Sequence, residues 1–557
     1  MNENEKLHIV IIGASVGGLT AAKRARRINE LAEITIIEES KYINFPISAL
    51  LSYASGNIKK LGTVYDKNEE ELEEIYNLKI LKYHRAVDID RKEKKVIVKN
   101  LTTDKNIDVS YDKLILACGG KFTLPKIVQK KVNNVFVINY LQDAVDIREY
   151  IEKTSAKEIT IVGSNYYSLV TADNFIKKGF SVDLIDKKLV GIKEFDYEFN
   201  YILREELIKK GVKVYNNSII KKFIKNDKEK ISKIELSNSK KLSTHLILFF
   251  NNYSPNMSFI KKFSLELGET EKIKVNDKMQ TEDPDIFAIG NIAESFNRIT
   301  NLPESAQLII PVQIQARVAG TVASGMSMDF KGIINTKIIK FQDFIMGCTG
   351  LNIQELNKLN IDGFSVTLFS GDHERYRPII DKLHIKIVVN KSNKRILGAQ
   401  ICGSGSNVDK KLDLLNTAIY SNLTIDDLEM LGLSFTPELS YSKNPINTVG
   451  MIASNRLNGL TEVITINDIL LESKIYILDI RNKNEYMKSH IEGSTWIPLN
   501  ELRRRLDEIP RDINIYICGH VGMRGYIAER ILKGNGFKNV YNIEGGITAI
   551  KLIENMR

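Results

Sequence analysis

Hydrophobic and polar residues alternate in blocks that predict parallel strands joined by helices. The chain opens with an apolar run at 8–12, a glycine-rich turn at 13–18, an amphipathic stretch at 19–32 and a second apolar run at 33–39. Short apolar runs are typical of buried strands. The small apolar residues on one side of stretch 19–32, opposite Lys and Arg, are typical of a helix that lies on a sheet. The same order returns at 158–187, so the alternation predicts a doubly wound α/β fold.

The second strand–turn–helix unit interrupts the first. A run at 285–290, followed by a helical stretch, indicates a return to the first sheet. We therefore predict two nucleotide-binding domains, one inserted in the other. Beyond residue 335 the pattern changes to three strand-like runs and a helix, which predicts an α+β domain suited to dimerisation. A last compact α/β segment begins near residue 462.

Composition and net charge indicate which kinds of partner the protein is not expected to bind. A chain of 557 residues is long enough for about three or four domains. Its net charge of +10 comes from scattered lysines without basic clusters, which argues against nucleic acid. The apolar runs are strand-sized, shorter than the roughly 20 residues of a membrane helix. The polar, acidic start at 1–7 does not resemble a signal peptide. We predict a cytoplasmic protein with no membrane partner.

The four cysteines point to single thiols. They are far apart, with no C-x-x-C pair and no zinc-ligand spacing, and stand at Cys118, Cys348, Cys402 and Cys518. We predict neither disulfides nor a metal site.

The turn at 13–18 has the features of a dinucleotide-binding turn. Gly13 allows a tight bend after the strand and Gly18 allows the helix to pack close to the sheet, while Ser15 replaces the middle glycine. The helix N-terminus offers amides and a positive dipole end to a pyrophosphate. Glu38 stands at the end of the second strand, where a carboxylate can accept ribose hydroxyls. A tight turn without a ligand is the simpler alternative.

Several motifs together resemble a known family, the FAD-dependent pyridine nucleotide-disulfide oxidoreductases. Within it, the chain is similar to the coenzyme A-disulfide reductase and polysulfide or persulfide reductase group, which carries a fused rhodanese domain. The motifs are GASVGG with Glu38, YINFPISALLSYASG, LILACGG, TEDPDIFAIGN, GCTGLN, RILGAQICG, KNPINTVG and the C-terminal tail.

This resemblance implies a domain plan and cofactors. The plan is an FAD domain at 1–115 and 252–330, an NAD(P)H domain at 116–251, a dimerisation domain at 335–455 and a rhodanese-like domain at 463–557. It also implies FAD, NADH or NADPH, and a homodimer. By the match, the FAD contacts include Gly13, Gly17, Gly18, Glu38 and the turn Gly290–Asn291, where the family has an aspartate at position 291.

The redox cysteine of the family is missing. Its position falls on Ser48, and a serine hydroxyl is too weak an acid to replace a thiolate and cannot form a mixed disulfide. Because Ser48 precedes a helical-looking stretch at 49–55, we interpret it as an N-cap.

The second dinucleotide turn is also altered. Gly163 is kept, but Asn165 and Ser168 stand at the other glycine positions, and Asn252 replaces a further glycine. Asn tolerates left-handed backbone better than other non-glycine residues, which favours survival of the turn. Asp186 stands at the ribose-binding position and favours NADH over NADPH.

The C-terminal tail resembles a rhodanese domain, with Asp479 and Arg481 near its start. Two registers for its active loop stay open. Anchoring on residues 522–526 puts Gly519 at the cysteine position, one residue after Cys518. Counting from Cys518 gives a longer loop before Arg524, with room for a tetrahedral oxyanion. Cys518 and Arg524 are therefore candidate catalytic residues for a sulfur species or oxyanion. The alternative is that Cys518 is a small apolar core residue.

The resemblance adds Tyr376 as a candidate near the partner subunit's active site, with Tyr441 as a near neighbour of a second such position. We expect a flavin-dependent, NADH-linked oxidoreductase that passes electrons to a small-molecule or protein acceptor without a cysteine relay. The alternative is a non-catalytic flavin-binding dimer with a sensing or anion-binding role.

Overall fold

The computed structural model describes most of the chain, in two compact units. The described residues are 6–43, 45–64, 69–128, 132–226, 230–371, 382–405, 407–437, 441–465 and 475–554. One unit comprises residues 1–190 and 207–335, and the other comprises residues 191–206 and 336–557. Over these described ranges, no helix is both long and apolar enough to cross a membrane.

Up to residue 335, strand–helix–strand units are interrupted by two runs of successive strands, β3 to β9 and β12 to β17 in the order below. The elements are β1 (His8–Ile12), α1 (Val16–Ile28), β2 (Glu33–Ile37), α2 (Ile47–Ala54), α3 (Glu69–Glu74), β3 (Lys79–Leu81), β4 (His84–Asp90), β5 (Lys95–Asn100), β6 (Asn106–Ser110), β7 (Lys113–Leu116), β8 (Gly120–Phe122), β9 (Val135–Phe136), α4 (Leu141–Thr154), β10 (Glu158–Val162), α5 (Tyr166–Ile176), β11 (Ser181–Ile185), α6 (Tyr197–Lys209), β12 (Val212–Tyr215), β13 (Ile220–Lys225), β14 (Ile231–Leu236), β15 (Lys241–Ser243), β16 (Leu246–Phe249), β17 (Tyr253–Pro255), α7 (Met257–Ile260), β18 (Ile273–Lys274), β19 (Ile286–Ala288), β20 (Ala293–Phe296), β21 (Pro303–Glu304) and α8 (Ile309–Ala323).

Two parallel sheets confirm the doubly wound fold. The first runs in the order β19–β7–β1–β2–β3 and the second in the order β12–β11–β10–β16–β9. Strand β19 pairs with β7 in parallel, so the chain returns to the first sheet after building the second, as the sequence predicts. Strands β1 and β2 are almost entirely buried, which explains their uninterrupted apolar pattern.

The first helix differs from its predicted bounds. It begins at Val16, inside the glycine-rich turn, and ends at Ile28. It stops there because the side chain of Asn29 accepts hydrogen bonds from the amides of Leu31 and Ala32, which turns the chain toward β2.

Beyond residue 336 an antiparallel sheet precedes a smaller parallel one. The elements are β22 (Lys337–Phe341), β23 (Phe344–Gly350), α9 (Ile353–Lys358), β24 (Gly363–Gly371), β25 (Lys382–Asn390), β26 (Ile396–Ser404), α10 (Val408–Tyr420), α11 (Ile425–Met430), α12 (Pro445–Leu457), β27 (Val463–Ile464), β28 (Tyr476–Asp479), α13 (Lys483–Lys488), β29 (Thr495–Trp496), β30 (Ile515–Cys518), α14 (Met523–Gly534), β31 (Val540–Ile543) and α15 (Gly546–Glu554). The sheet orders are β22–β23–β26–β25–β24 and β27–β31–β30–β28–β29.

Strand β24 lies at the edge of its sheet, and the turn after β31 covers part of it. The carboxylate of Glu544 accepts a hydrogen bond of 2.7 Å from the amide of Thr367. Gly545 sits against the ring of Phe369, where an added Cβ atom would overlap the ring. Burial raises the pKa of Glu544, and the nearby cations Lys386 and Arg456 oppose that rise. The edge strand therefore has a partner for one of its outward amides.

Candidate functional site

The first dinucleotide turn requires glycine at two positions. Gly13 has a φ of +109°, and a Cβ atom there would lie 2.5 Å from the carbonyl oxygen of Ala117. A Cβ atom at Gly18 would overlap the carbonyl oxygen of Gly13. The backbone of α1 therefore approaches β1 as closely as a dinucleotide turn demands.

Ser15 fits the same turn without strain. It is the N-cap of α1, with an extended backbone at φ −84° and ψ −172°, so glycine is not needed there. Its side chain makes no capping hydrogen bond. The first-turn amides of α1 therefore keep their capacity to bind an anionic ligand.

Glu38 holds its carboxylate over this turn. Its two oxygens accept hydrogen bonds of 2.8 Å from the amides of Ala14 and Ser40. Burial raises the pKa of Glu38, and those two hydrogen bonds oppose the rise. An acid at the end of β2 beside open helix amides fits an adenine dinucleotide, with the amides at the phosphates and the carboxylate at a ribose.

The turn Gly290–Asn291 lies beside the same helix. Gly290 has a φ of +76°, and its amide donates a 2.8 Å hydrogen bond to the side chain of Gln315 in α8. Cβ atoms at Gly290 and at Gly17 would both lie within 3.6 Å of Val312, so the fold brings these predicted contacts together. The side-chain amide of Asn291 donates to the hydroxyl of Tyr253 at 2.8 Å.

Ser48 lies in the first turn of α2 and is not its N-cap. The N-cap is Pro46, and the helix begins at Ile47. The N-cap interpretation of Ser48 is therefore wrong. The apolar stretch 49–55 suggested a later start, but Pro46 fixes an extended backbone one residue before Ile47.

None of the thiols with a resolved pKa shift favours ionisation. None of the four cysteines, all of which the structure describes, forms a disulfide. Burial raises the pKa of Cys118 to about 12, and the carboxylates of Glu38 and Glu39 add to that rise. Burial also raises the pKa of Cys348 and of Cys402. Because the thiolate is the reactive form, these three residues are poorly suited to a redox relay.

In the second dinucleotide turn, the side chain of Asn165 caps the N-terminus of α5. Asn165 has a φ of −131°, so its tolerance of left-handed backbone, which we invoked from the sequence, is not needed. Its Oδ1 atom accepts a 3.1 Å hydrogen bond from the amide of Ser168, and its Nδ2 atom donates to the carbonyl of Phe250 at 2.6 Å. Gly163 keeps a φ of +108°. A pyrophosphate at α5 therefore competes with Asn165 for an amide.

Asp186 stands at the end of β11, in the position that Glu38 has after β2. It accepts hydrogen bonds of 2.8 Å from the hydroxyl of Ser164 and 2.9 Å from the amide of Lys188. The acid predicted for ribose binding is thus next to the second turn.

A cluster of three arginines between α1 and α8 was missed in the sequence. Arg24, Arg27 and Arg317, with Thr20 and Ile314, line a cavity of about 230 Å³. Among the described residues, no carboxylate forms an ion pair with these arginines. Partial burial and repulsion by Arg317 and Arg27 lower the pKa of Arg24. The signal was the Lys and Arg side of stretch 19–32, which we interpreted only as the side opposite the sheet in a helix that lies on it. We call this group the arginine cluster.

In the C-terminal domain, Cys518 is the last residue of β30 and fully buried. It packs with Tyr516 and with Ile547 and Ile550 of α15, whereas Ile517 belongs to the cluster that contains α14. Successive strand residues point to opposite faces. The thiol is therefore directed away from α14, and this placement does not support Cys518 as the nucleophile.

Gly519 faces the first turn of α14 instead. A Cβ atom at Gly519 would lie 3.1 Å from the amide of Gly525. The loop ends at Gly522, the N-cap of α14, which has a φ of +106°. The geometry favours the register that puts Gly519 at the family's cysteine position.

Two ion pairs surround this loop. Arg481 and Asp479 form a buried pair with a 2.6 Å contact. Arg524 donates two hydrogen bonds of 2.7 Å to the carboxylate of Glu485, so its charge is already balanced. His520 is largely exposed to solvent. The part of its ring that is shielded loses hydration, and this lowers its pKa. Tyr376 lies outside the described residues, and Tyr441 is half-buried.

Comparison with known families follows this domain order. Residues 7–308 match the pyridine nucleotide-disulphide oxidoreductase family, residues 336–443 match its dimerisation domain and residues 466–552 match the rhodanese-like domain. The first match covers more than half of the chain. The chain therefore belongs to the pyridine nucleotide-disulphide oxidoreductase family.

Two solved structures match this chain over nearly its whole length, and one curated relative matches about four fifths of it. The structure of reduced Bacillus anthracis CoADR-RHD is 32% identical, with a TM-score of 0.94 and 99% of both chains covered. The NAD-dependent persulfide reductase from A. fulgidus is 30% identical, with a TM-score of 0.90, over 98% of this chain and all of that one. A coenzyme A disulfide reductase of Staphylococcus haemolyticus (strain JCSC1435) is 28% identical over 79% of this chain and 98% of its own length.

These matches define the enzyme class. The chain is a flavin-dependent NAD(P)H oxidoreductase by family, with FAD and NAD(P)H as the family's cofactors. The dimerisation domain supports the predicted homodimer.

Proposed function

We propose that this chain oxidises NADH through bound FAD and passes the electrons to an external acceptor without a cysteine relay. When bound, FAD accepts a hydride from a nicotinamide and releases electrons to an acceptor. The main support is the geometry of the first dinucleotide turn. There, Gly13, Ser15 and Gly18 leave the first-turn amides of α1 available to a ligand beside the carboxylate of Glu38. In this proposal Gly17, Gly290 and Asn291 complete the FAD site.

The absence of a relay rests on the side chains available. Ser48 takes the family's cysteine position in this proposal, and a hydroxyl does not ionise or form a disulfide. Cys118 is close enough to Glu38 and Glu39 for their charges to raise its pKa, which opposes thiolate formation. Electrons therefore have to leave the flavin directly.

Asp186 supports NADH as the pyridine nucleotide, because its carboxylate can accept hydrogen bonds from ribose hydroxyls and repels a 2′-phosphate. Gly163 keeps the turn tight. Asn165 weakens nucleotide binding in this proposal, because its side chain occupies the amide of Ser168.

The arginine cluster supports a phosphate-bearing small molecule as the acceptor or its carrier. Arg24, Arg27 and Arg317 bring three positive charges to one cavity, and guanidinium groups bind phosphate through paired hydrogen bonds. Coenzyme A disulfide, the substrate named for the staphylococcal relatives, carries phosphates of this kind.

The C-terminal domain, in this proposal, binds a sulfur species or oxyanion and forms no persulfide of its own. Gly519 has no side chain to carry sulfur, and Cys518 is buried on the other face of the sheet. Arg524 is paired with Glu485, so binding depends on the amides at the start of α14.

An anaerobic titration of the purified full chain with NADH tests the proposal. The visible flavin band should bleach in proportion to added NADH, and NADPH should act more weakly. Protein without any flavin would contradict the cofactor assignment.

A second candidate function is a flavin-loaded dimer that does not oxidise pyridine nucleotide. The self-capped second turn, in which Asn165 bonds both Ser168 and Phe250, favours it. A yellow protein whose spectrum does not respond to NADH would support this candidate.

A further inference from the structure

An aromatic cluster lies beside the second dinucleotide turn, where Tyr166 and Tyr167 belong to the first turn of α5. Its members are Phe122, Tyr166, Tyr167, Phe250 and Tyr253. The ring of Phe122 is at the centre, with centroids 5.0 Å from Tyr253, 5.3 Å from Phe250 and 5.6 Å from Tyr167, all edge to face. Edge-to-face pairs at these distances are attractive, so the cluster fixes the position of each ring.

Two asparagines donate hydrogen bonds to residues of this cluster. The Nδ2 atom of Asn291 donates to the hydroxyl of Tyr253 at 2.8 Å. The Nδ2 atom of Asn165 donates to the carbonyl of Phe250 at 2.6 Å. The first asparagine belongs to the proposed FAD site and the second to the proposed nicotinamide site.

The contact with Tyr253 determines which end of the Asn291 side-chain amide a ligand can meet. An ionised aspartate has two acceptor oxygens, whereas an asparagine has one acceptor end and one donor end. In Asn291 the donor end is used by Tyr253, whose oxygen must accept because an amide nitrogen only donates. Among the described residues, no donor bonds to its Oδ1 atom. Asn291 therefore presents an acceptor to a ligand, as a carboxylate does.

The local backbone makes room for this phenol. A Cβ atom at Gly120 would lie 2.7 Å from the Tyr253 hydroxyl, so a larger residue there would displace it. Tyr253 is 37% exposed, and the partial burial of its hydroxyl raises its pKa, so the neutral phenol keeps its own proton for donation.

We propose that Tyr253 is a positioning residue for FAD, which acts by holding the Asn291 amide with its carbonyl oxygen toward a cofactor hydroxyl. The proposal rests on the FAD site of the proposed function. Tyr253 thereby restores the acceptor that is lost when asparagine stands in place of a carboxylate.

The test measures the FAD dissociation constant of the full chain, reconstituted from apoprotein without NADH. Tyr253→Phe keeps the ring and removes only the hydroxyl, so FAD should bind about threefold to tenfold more weakly, the effect of one hydrogen bond. Adding Asn291→Asp to that variant should restore the affinity, because a carboxylate has no donor end to misplace. Tyr167→Phe, which removes a hydroxyl not bonded to Asn291, should leave FAD affinity unchanged.

A double-mutant cycle with Asn291→Ala separates positioning from packing. Asn291→Ala and the double variant Tyr253→Phe with Asn291→Ala should bind FAD equally, because the hydroxyl then has nothing to position. An unchanged dissociation constant in Tyr253→Phe, or failure of Asn291→Asp to restore binding, would overturn the proposal. Because the test contains no NADH, those outcomes leave the proposed NADH oxidation through FAD intact. An unaltered chain that binds no FAD would contradict both that proposed function and the role of Tyr253.

Discussion

The guanidinium of Arg524 is held by the carboxylate of Glu485 through two hydrogen bonds of 2.7 Å each. Glu485 also accepts the amide of Asn482 at the start of α13 through its capping box. One side chain thus ties the start of α13 to the first turn of α14. Any anion that binds the loop before α14 meets an arginine whose charge is already balanced.

Loss of this pair should destabilise the C-terminal domain in a pH-dependent way. The hydrogen bonds from Arg524 lower the pKa of Glu485 from 4.5 to about 2. A carboxyl group whose pKa is depressed in the folded state stabilises that state above its unfolded pKa. The contribution is therefore complete above about pH 4.5 and is lost as the pH falls toward 2.

Glu485→Gln should lower the free energy of unfolding by about 1–2 kcal/mol at neutral pH. The difference from the unaltered chain should shrink between pH 4.5 and 2, which thermal unfolding across that range would detect. Glu492→Gln, on an exposed residue of the same domain, is the control and should have no effect. Equal unfolding curves at pH 7 for Glu485→Gln and the unaltered chain would contradict this prediction.

Ser48→Cys should introduce a thiol at the position that, in our proposal, corresponds to the family's redox cysteine. With the flavin oxidised and the new thiol kept reduced, we expect long-wavelength absorbance from charge transfer between a thiolate at position 48 and the flavin. Ala49→Cys, the next residue of α2, points about 100° away around the helix and should give no such band. Flavin-loaded Ser48→Cys without the band would indicate that the pocket differs from that of the relatives.

Gly519→Cys should create a reactive thiol in the rhodanese-like domain. The first-turn amides of α14 should lower the pKa of the new thiol and speed its alkylation, while buried Cys518 stays unreactive. The alkylation rate is measured by mass spectrometry in a Cys518→Ala background. A thiol at position 519 that reacts no faster than Cys518 in the native protein would argue for the other register.

Asn165 should limit NADH affinity. Asn165→Ala frees the amide of Ser168, and Asn165→Gly also removes the Cβ atom, so we expect NADH to bind more tightly in that order. Loss of the helix cap should cost about 1 kcal/mol of stability in Asn165→Ala and only a few tenths of a kcal/mol in Asn165→Gly. Titration of NADH against each holoprotein measures the effect. Unaltered affinity in both variants would mean that the cap and the nucleotide do not compete.

Arg317→Ala should weaken binding of coenzyme A, used as a phosphate-bearing probe. Loss of a charged hydrogen bond predicts roughly tenfold weaker binding at low salt, with a smaller difference at high salt. Lys331→Ala removes an exposed cation elsewhere and serves as the control. If the two variants bind the probe equally well, the arginine cluster is not a phosphate site.

The sequence predicted most of the fold because its signals are local. The apolar runs of β1 and β2 and the glycines between them specify one strand–turn–helix unit, and the same pattern specifies the second. The residues at which helices begin were predicted less accurately than the strands. Pro46 begins α2 before its apolar stretch, which misled the interpretation of Ser48.

The side-chain chemistry depended on contacts that no local pattern contains. Asn291 and Tyr253 are 38 residues apart, and their hydrogen bond changes what the asparagine offers a ligand. Asn165 caps its own helix, which depends on a backbone angle that the residue type does not specify. Cys518 sits on a strand whose two faces are both apolar, so the sequence could not assign its side.

The hydrogen bond between Glu544 and the outward amide of Thr367 has a consequence for shortened forms of the protein. Removing the chain beyond α12 would expose the edge of β24. The outward amide of Thr367 would then have no hydrogen-bond partner from this turn. Exposed ladders recruit strands from other molecules. In the intact chain, the turn after β31 therefore helps to keep this part of the β24 edge from pairing with strands of other molecules.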